Sequence, residues 1–291
     1  MIYTLGSINA DFFYSVPHLP GEGETLAADH LSRALGGKGA NQSLAAARAG
    51  ADVLHMGAVG PDGGWVIAAL AAAGIDTSAV EQTDTPTGHA IICVDRAGQN
   101  QIILYPGANR QIPSAALAPL SRARRGDWLL LQNETNLQPE AARKARDRGA
   151  RVAYSAAPFD AKAVRAVLPW TDLLLLNAVE ARQLADEMAV PVTSLPVARI
   201  VITRGAEGAD WHDTQTGQRL HVPAWPTDVI DTTGAGDTFA GFLVAALSRS
   251  MKPGAALRLA ASAAAIQVSR PGASTAIPTL AEATQFCQRQ P

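Results

Sequence analysis

Asp231-Thr232-Thr233-Gly234-Ala235-Gly236-Asp237 is the stretch from which the rest of the chain is read. Behind it, Phe239, Phe242, Leu243, Ala246 and Leu247 recur at i, i+3, i+4, i+7 and i+8, one face of an α-helix. Ahead of it, residues 227–230 form a short extended run. The heptapeptide is therefore a glycine-rich turn opening a helix. Unpaired backbone N–H groups and the positive end of the helix dipole meet there and make an anion site. Gly234 and Gly236 let the backbone approach an anion closely. Asp237 runs against this, because a carboxylate beside a phosphate repels it, so its place there points to chemistry. It is the candidate general base for an attacking hydroxyl, while the N–H groups of Gly234, Ala235, Gly236 and Asp237 hold a phosphoryl group. The plainer alternative is an acidic helix start whose glycines serve only the bend.

Outward from this turn the chain alternates. Met1 to Leu5, Val53 to Met56, Trp128 to Leu131, Val152 to Tyr154, Leu173 to Leu176 and Ile200 to Thr203 read as short apolar strands. Helices fall between them: from Gly36-Gly37-Lys38-Gly39 to Gly50, then 65–73, 139–148, 160–167 and 178–188, with two long ones near 236–249 and 254–268. Strands alternating with helices predict an α/β fold, a mostly parallel sheet covered on both faces. Two segments leave the pattern. Residues 11–36 carry Pro17, Pro20, Gly21 and Gly23, and residues 87–106 read as a β-hairpin. These two are expected to pair into a small β lid on a core of 1–10, 37–86 and 107–291. Residues 208–222 read as a further hairpin.

Composition narrows the function classes. The chain of 291 residues has 24 Lys+Arg against 26 Asp+Glu, a formal net charge of −2, and no basic block, which speaks against a nucleic-acid partner. The N-terminus has neither the basic nor the long apolar region of a signal peptide, and no apolar run could span a bilayer. Cys93 and Cys287 give no disulfide framework, and the six histidines show no ligand spacing. A cytoplasmic protein is expected. Gly37-Lys38 is followed by Gly39 rather than Ser or Thr, so this is no P-loop, and no G-x-G-x-x-G follows a strand. Phosphate chemistry therefore rests on the heptapeptide.

Gly6-Ser7-Ile8-Asn9-Ala10-Asp11, Gly36-Gly37-Lys38-Gly39-Ala40-Asn41-Gln42, Asn177-x-x-Glu180, Thr203-Arg204-Gly205 and the heptapeptide occur in this order. Over essentially the whole chain they resemble the ribokinase-type carbohydrate kinases. The resemblance implies ATP-dependent phosphorylation of a sugar hydroxyl, D-ribose at its 5-hydroxyl before another pentose, a ketohexose or a nucleoside. It implies that Asn9, Asp11, Gly37, Lys38, Asn41 and Glu134 contact the sugar, with Asp237 as base. Asn177, Thr203, Gly205, Glu207, Gly208 and Gly236 would hold the nucleotide, and Glu180 would order the waters of Mg²⁺. A monovalent cation, K⁺, would sit on Asp231, Thr233, Gln267, Arg270 and Gly272, mostly through backbone carbonyls. Apart from the resemblance, the lid's exposed β face is expected to form a homodimer, since small sheets with open edges seek partners. Taken singly, Asn9 and Asp11 could be an Asx turn, Lys38 a solvated helix-start lysine, and Glu180 a surface residue. A sugar-binding regulator on a kinase scaffold is the non-enzymatic alternative, and the intact Asp237 and glycine turn argue against it. The sequence departs from the family pattern at Ser155, at Ala261 beside the expected adenine, and at Ala276, where a hydroxyl often joins the cation shell.

Overall fold

The computed structural model describes residues 1–289. In chain order its strands are β1 (Ile2–Leu5), β2 (Asn9–Ser15), β3 (His30–Gly36), β4 (Val53–Val59), β5 (Asp76–Gln82), β6 (Gly88–Val94), β7 (Asn100–Tyr105), β8 (Trp128–Leu131), β9 (Arg151–Ser155), β10 (Leu173–Asn177), β11 (Arg199–Thr203), β12 (Ala209–Asp213) and β13 (Arg219–Val222). The helices are α1 (Lys38–Arg48), α2 (Gly64–Ala72), α3 (Gln138–Asp147), α4 (Ala161–Val167), α5 (Ala178–Met188), α6 (Ala235–Ser248), α7 (Pro253–Val268) and α8 (Leu280–Arg289).

Nine strands form one sheet in the order β13-β12-β11-β10-β9-β8-β1-β4-β5. Pairs from β11 to β5 are parallel, and the β12–β13 hairpin joins antiparallel at one edge. The central strands are apolar throughout because both faces are covered. Trp128 and Leu130 pack into the layer that holds α1, α6 and α7, while Leu129 and Leu131 pack into the layer of α3, α4 and α5. Leu173 and Leu175, against Leu174 and Leu176, repeat that division one strand-pair away.

The order reverses at β1: the chain goes out to β4 and β5 on one side and resumes at β8 on the other. Ligands in open parallel sheets bind beyond the carboxyl ends of the strands at such a reversal. Across it the Ser7 hydroxyl, after β1, donates to the Glu134 carboxylate, after β8. Asn177 and Thr203 end β10 and β11 on the same edge. A second sheet of four strands, β3-β2-β6-β7, is built from the two excursions. In it Asp11, Ala90 and Leu104 are in cross-strand register, as are Phe12, Ile91 and Ile103 on the opposite face.

Several elements lie outside the sequence expectation. β5, Asp76-Thr77-Ser78-Ala79-Val80-Glu81-Gln82, is a largely polar edge strand with only Ala79 buried, so it carries no apolar period. Ser114–Arg122 forms 3-10 turns across Pro119. α8 follows the two long helices and packs on α7, where the sequence reading places no helix.

The heptapeptide helix is seated by a tight crossing. A Cβ on Gly241 of α6 would lie 2.5 Å from the Ala45 Cβ and 2.6 Å from the Gln42 carbonyl oxygen of α1. No side chain fits there, so the two backbones touch. One turn earlier on α6 stands Asp237, and Gln42 faces it.

Candidate active site

α6 begins at Gly234, whose φ of 75° places it in the left-handed region. The first intrahelical bond runs from the Thr238 N–H to the Gly234 carbonyl at 2.8 Å. The amides of Gly236 and Asp237 thus lie ahead of the helix ladder, as the turn chemistry requires. The Ala235 amide differs, donating at 3.3 Å to the Thr232 carbonyl.

Asp237 is buried, only 8% exposed. Its Oδ1 accepts from Gln42 Nε2 at 2.9 Å and its Oδ2 from Asn41 Nδ2 at 3.4 Å. Burial pushes its carboxyl above the ordinary carboxylate range, against the pull of the Lys38 charge and the Gln42 bond. Conversely, Lys38 is held above its usual range chiefly by Asp237, with Glu134 and Glu180 adding to it and burial opposing. A carboxylate raised in this way holds a proton more tightly than an exposed one, which suits a proton acceptor.

On the sugar side, burial pushes the Asp11 carboxyl up to about 6, helped by the charge of Glu134. A Cβ on Gly36 would lie 1.9 Å from Asp11 Oδ2, so the carboxylate rests directly on that glycine. Asp11 Oδ1 and Asn41 Oδ1 are buried without a hydrogen-bond partner. Orphaned acceptors of this kind are what the hydroxyls of a polyol satisfy. Gly37, with φ of 91°, opens α1, and there the Lys38 N–H donates to Glu134 at 3.1 Å. One oxygen of Glu134 is therefore committed to Ser7 and Lys38. The Arg110 guanidinium pins the loop on either side of Glu134 through the Asn133 and Thr135 carbonyls.

A cavity of about 590 Å³ adjoins the turn, lined among others by Thr203, Gly205, Gly208, Trp225, Gly236 and Ala261. A smaller one of about 250 Å³ is lined by Lys38, Asn177, Glu180, Gly234 and Asp237. Asn177, Thr203 and Gly236 border both, so the two run together. Asn177 and Glu180 form a reciprocal cap at the start of α5: Asn177 Oδ1 accepts the amides of Val179 and Glu180, and Glu180 Oε2 accepts the Asn177 amide at 2.8 Å. Asn177 Nδ2 and Glu180 Oε1 remain for a ligand. Burial raises the Glu180 carboxyl, with the Asn177 amide and Lys38 pulling it down. That donor set fits a Mg²⁺ that keeps most of its waters.

Two expectations fail on geometry. Glu207 is exposed on the turn Gly205–Glu207, and Ala206 takes the place expected of it in the cavity wall. The cation shell is the second. The carbonyls of Thr233, Gly272 and Ala273 do converge, but on the side-chain Nε2 of Gln267, each at 3.0 Å. The Gln267 carbonyl is taken by the Arg270 amide at 3.2 Å. The Asp231 carboxylate accepts the amides of Thr233 and Gly272, both at 2.9 Å, and Arg270 pairs with Glu282. A monovalent cation does not fit this arrangement.

Two residues beyond the sequence reading complete the site. Gln42, with no exposed surface, accepts at Oε1 from Gln132 Nε2 at 2.6 Å while donating to Asp237, which fixes which way its amide faces. Asn109 Nδ2 donates to Asn9 Oδ1 at 2.8 Å and also bonds the Ile8 backbone, locking Asn9 in place. Gln42 lay inside a quoted motif; Asn109 lies in none.

A glycine-opened helix start, a buried carboxylate beside it, orphaned buried acceptors and an adjoining apolar cavity are the parts expected of a phosphotransferase that acts on an alcohol. Residues 1–280 match the model of the pfkB family carbohydrate kinase. The chain is 36% identical to ribokinase of Haemophilus influenzae over 301 aligned positions, covering 98% of this chain and 97% of that protein. Among solved structures it resembles Thermotoga maritima ribokinase, with a TM-score of 0.88 and 29% identity over 99% of each chain. It also resembles Arabidopsis thaliana ribokinase, solved with ribose and ATP, with a TM-score of 0.87 and 27% identity over 99% of this chain and 98% of that one. The chain belongs to the pfkB family of carbohydrate kinases.

Proposed function

We propose that this enzyme transfers the γ-phosphoryl group of ATP to the 5-hydroxyl of D-ribose. The observation that carries the reading is the seating of Asp237. Its backbone amide belongs to the anion-binding turn, while its carboxylate is held by Asn41 and Gln42 of the sugar-side helix. Asp11, Asn9 and Asn41 would take the sugar hydroxyls, with the free oxygen of Glu134, the Gly37 backbone and the Lys38 side chain completing the cradle. The attacking hydroxyl passes its proton to Asp237. The amides of Gly234, Gly236 and Asp237 stabilise the transferring group, and Lys38 offsets the charge gathered there. The larger cavity takes the nucleotide along Thr203, Gly205 and Gly208. Mg²⁺, bound through water to Glu180, would neutralise charge on the phosphates.

The curated relatives named ribokinase and the ribose- and ATP-bound Arabidopsis structure support ribose as the acceptor. The small sheet, residues 11–36 and 87–106, acts in this reading as a lid on the core formed by 1–10, 37–86 and 107–291. It excludes water when closed. Its edge strand exposes Ile102, Ile103, Leu104 and Tyr105, which supports a homodimer that covers this apolar strand. The unpaired Cys93 and Cys287 suit a reducing cytoplasm, and among the described residues no helix is long and apolar enough to cross a membrane.

The test is ADP release from ATP and Mg²⁺ with a panel of pentoses, ketohexoses and nucleosides. D-Ribose is expected to give the highest kcat/KM. A better rate with another acceptor moves the substrate within the family. Sugar binding without turnover on any acceptor moves the protein to a regulator.

A further inference from the structure

Three backbone carbonyls aimed at one point are the donor set of a bound cation. Here those of Thr233, Gly272 and Ala273 meet at Gln267 Nε2, all at 3.0 Å. Carbonyls only accept, so the nitrogen of the amide must face them, and the other end agrees: Gln267 Oε1 accepts from the Thr238 hydroxyl at 3.2 Å. Gln267 has no exposed surface. Its Nε2 lies 3.5 Å from where a Cβ on Gly234 would stand, directly under the anion-binding turn. Ala276, also buried, brings no side-chain oxygen to the shell.

We propose that the side-chain amide of Gln267 does the work of a monovalent cation beneath the turn, and that this enzyme runs without one. The two N–H bonds tie the loop 230–234 to the loop 269–273. They also point their positive ends at the turn whose amides face the phosphoryl group. The Asp231 carboxylate braces the same two loops from the other side by accepting the Thr233 and Gly272 amides. The turn is therefore held in its anion-binding shape by groups of the chain itself.

The activity arm rests on the kinase reading and the melting arm does not. ADP release is measured in KCl and in tetramethylammonium chloride at equal ionic strength, so that screening is constant. The two rates are expected to agree within about twofold, and activation by K⁺ of about tenfold or more overturns the proposal. Gln267→Ala and the bulkier Gln267→Met remove the donors. Both are expected to lose about tenfold or more in rate without K⁺, while full rate in both variants overturns the proposal. Melting of the ligand-free parent is compared in the same two salts. A cation that binds only the folded chain raises Tm. Equal melting is expected, and a K⁺-dependent rise refutes the inference even if no sugar is turned over. Absence of turnover in every salt strikes the substrate reading instead.

Discussion

Asp237→Asn separates chemistry from architecture in one substitution. Asparagine has the same volume, and its Oδ1 can still accept the Gln42 amide now bonded at 2.9 Å. Lys38 keeps Glu134 and Glu180 as charge partners. What is lost is the proton acceptor. General-base catalysis contributes about 10²–10⁴ in rate, or about 3–5 kcal/mol of barrier, so kcat for ribose should fall by that factor while its KM changes little. Stability should move the other way. Burial holds the Asp237 carboxyl above its unfolded value of 3.8, so the folded state prefers the neutral form. Ionisation then costs stability progressively as pH rises above 3.8. Asparagine carries no such cost. The variant should melt with the parent near the acid end of this range and above it toward neutrality. ADP release at saturating ribose and ATP reads the first effect, and melting curves over a pH series read the second. A kcat within about tenfold of the parent refutes the base assignment. A variant that melts below the parent at every pH refutes the burial argument.

Gln42→Leu removes a bond to a charged group, worth about 1.5–3 kcal/mol, so kcat should drop about 10- to 100-fold with ribose KM near the parent value. The acid limb of its kcat–pH profile should also move upward, because the carboxylate loses a donor that favours its charged form; an unmoved limb makes Gln42 merely structural. Asp11, pushed up to about 6, is neutral below that pH and a strong charged acceptor above it. Ribose KM should therefore fall as pH rises through about 6, and Asp11→Asn should flatten the profile; a flat parent profile sinks the assignment. Ile103→Lys places a charge on a residue that is 65% exposed on the edge strand and should yield a monomer by sedimentation, whereas an unchanged oligomeric state rules out that strand as the contact.

The alternation of buried strands and helices was legible because Leu173 to Leu176 and Trp128 to Leu131 have no polar member, as a doubly covered sheet demands. β5 was not, since an edge strand with one buried residue has no period to read. Asp237, Lys38 and Asn41 could be found because each opens a helix behind glycines. The Asn177-x-x-Glu180 spacing is also that of a reciprocal helix cap, so one signal serves both the cap and the site. Gln42 stood in plain view, yet its tie to Asp237 exists only through the α1–α6 crossing. Gln267 reads from the sequence as a backbone-carbonyl ligand. The pattern of backbone ligands says nothing of a side chain long enough to curl back into the shell.

The bare contact of Gly241 with α1 cannot be relieved by trimming a neighbour. Without the Ala45 methyl, a Cβ at 241 would still meet the Gln42 carbonyl oxygen at 2.6 Å and the Ala46 nitrogen at 2.9 Å, both backbone. Any lineage or library that enlarges position 241 pushes α1 and α6 apart, and with them the Asp237 carboxylate from Asn41 and Gln42. The place of Asp237 is thus set by an absent side chain one turn along the same face of its helix.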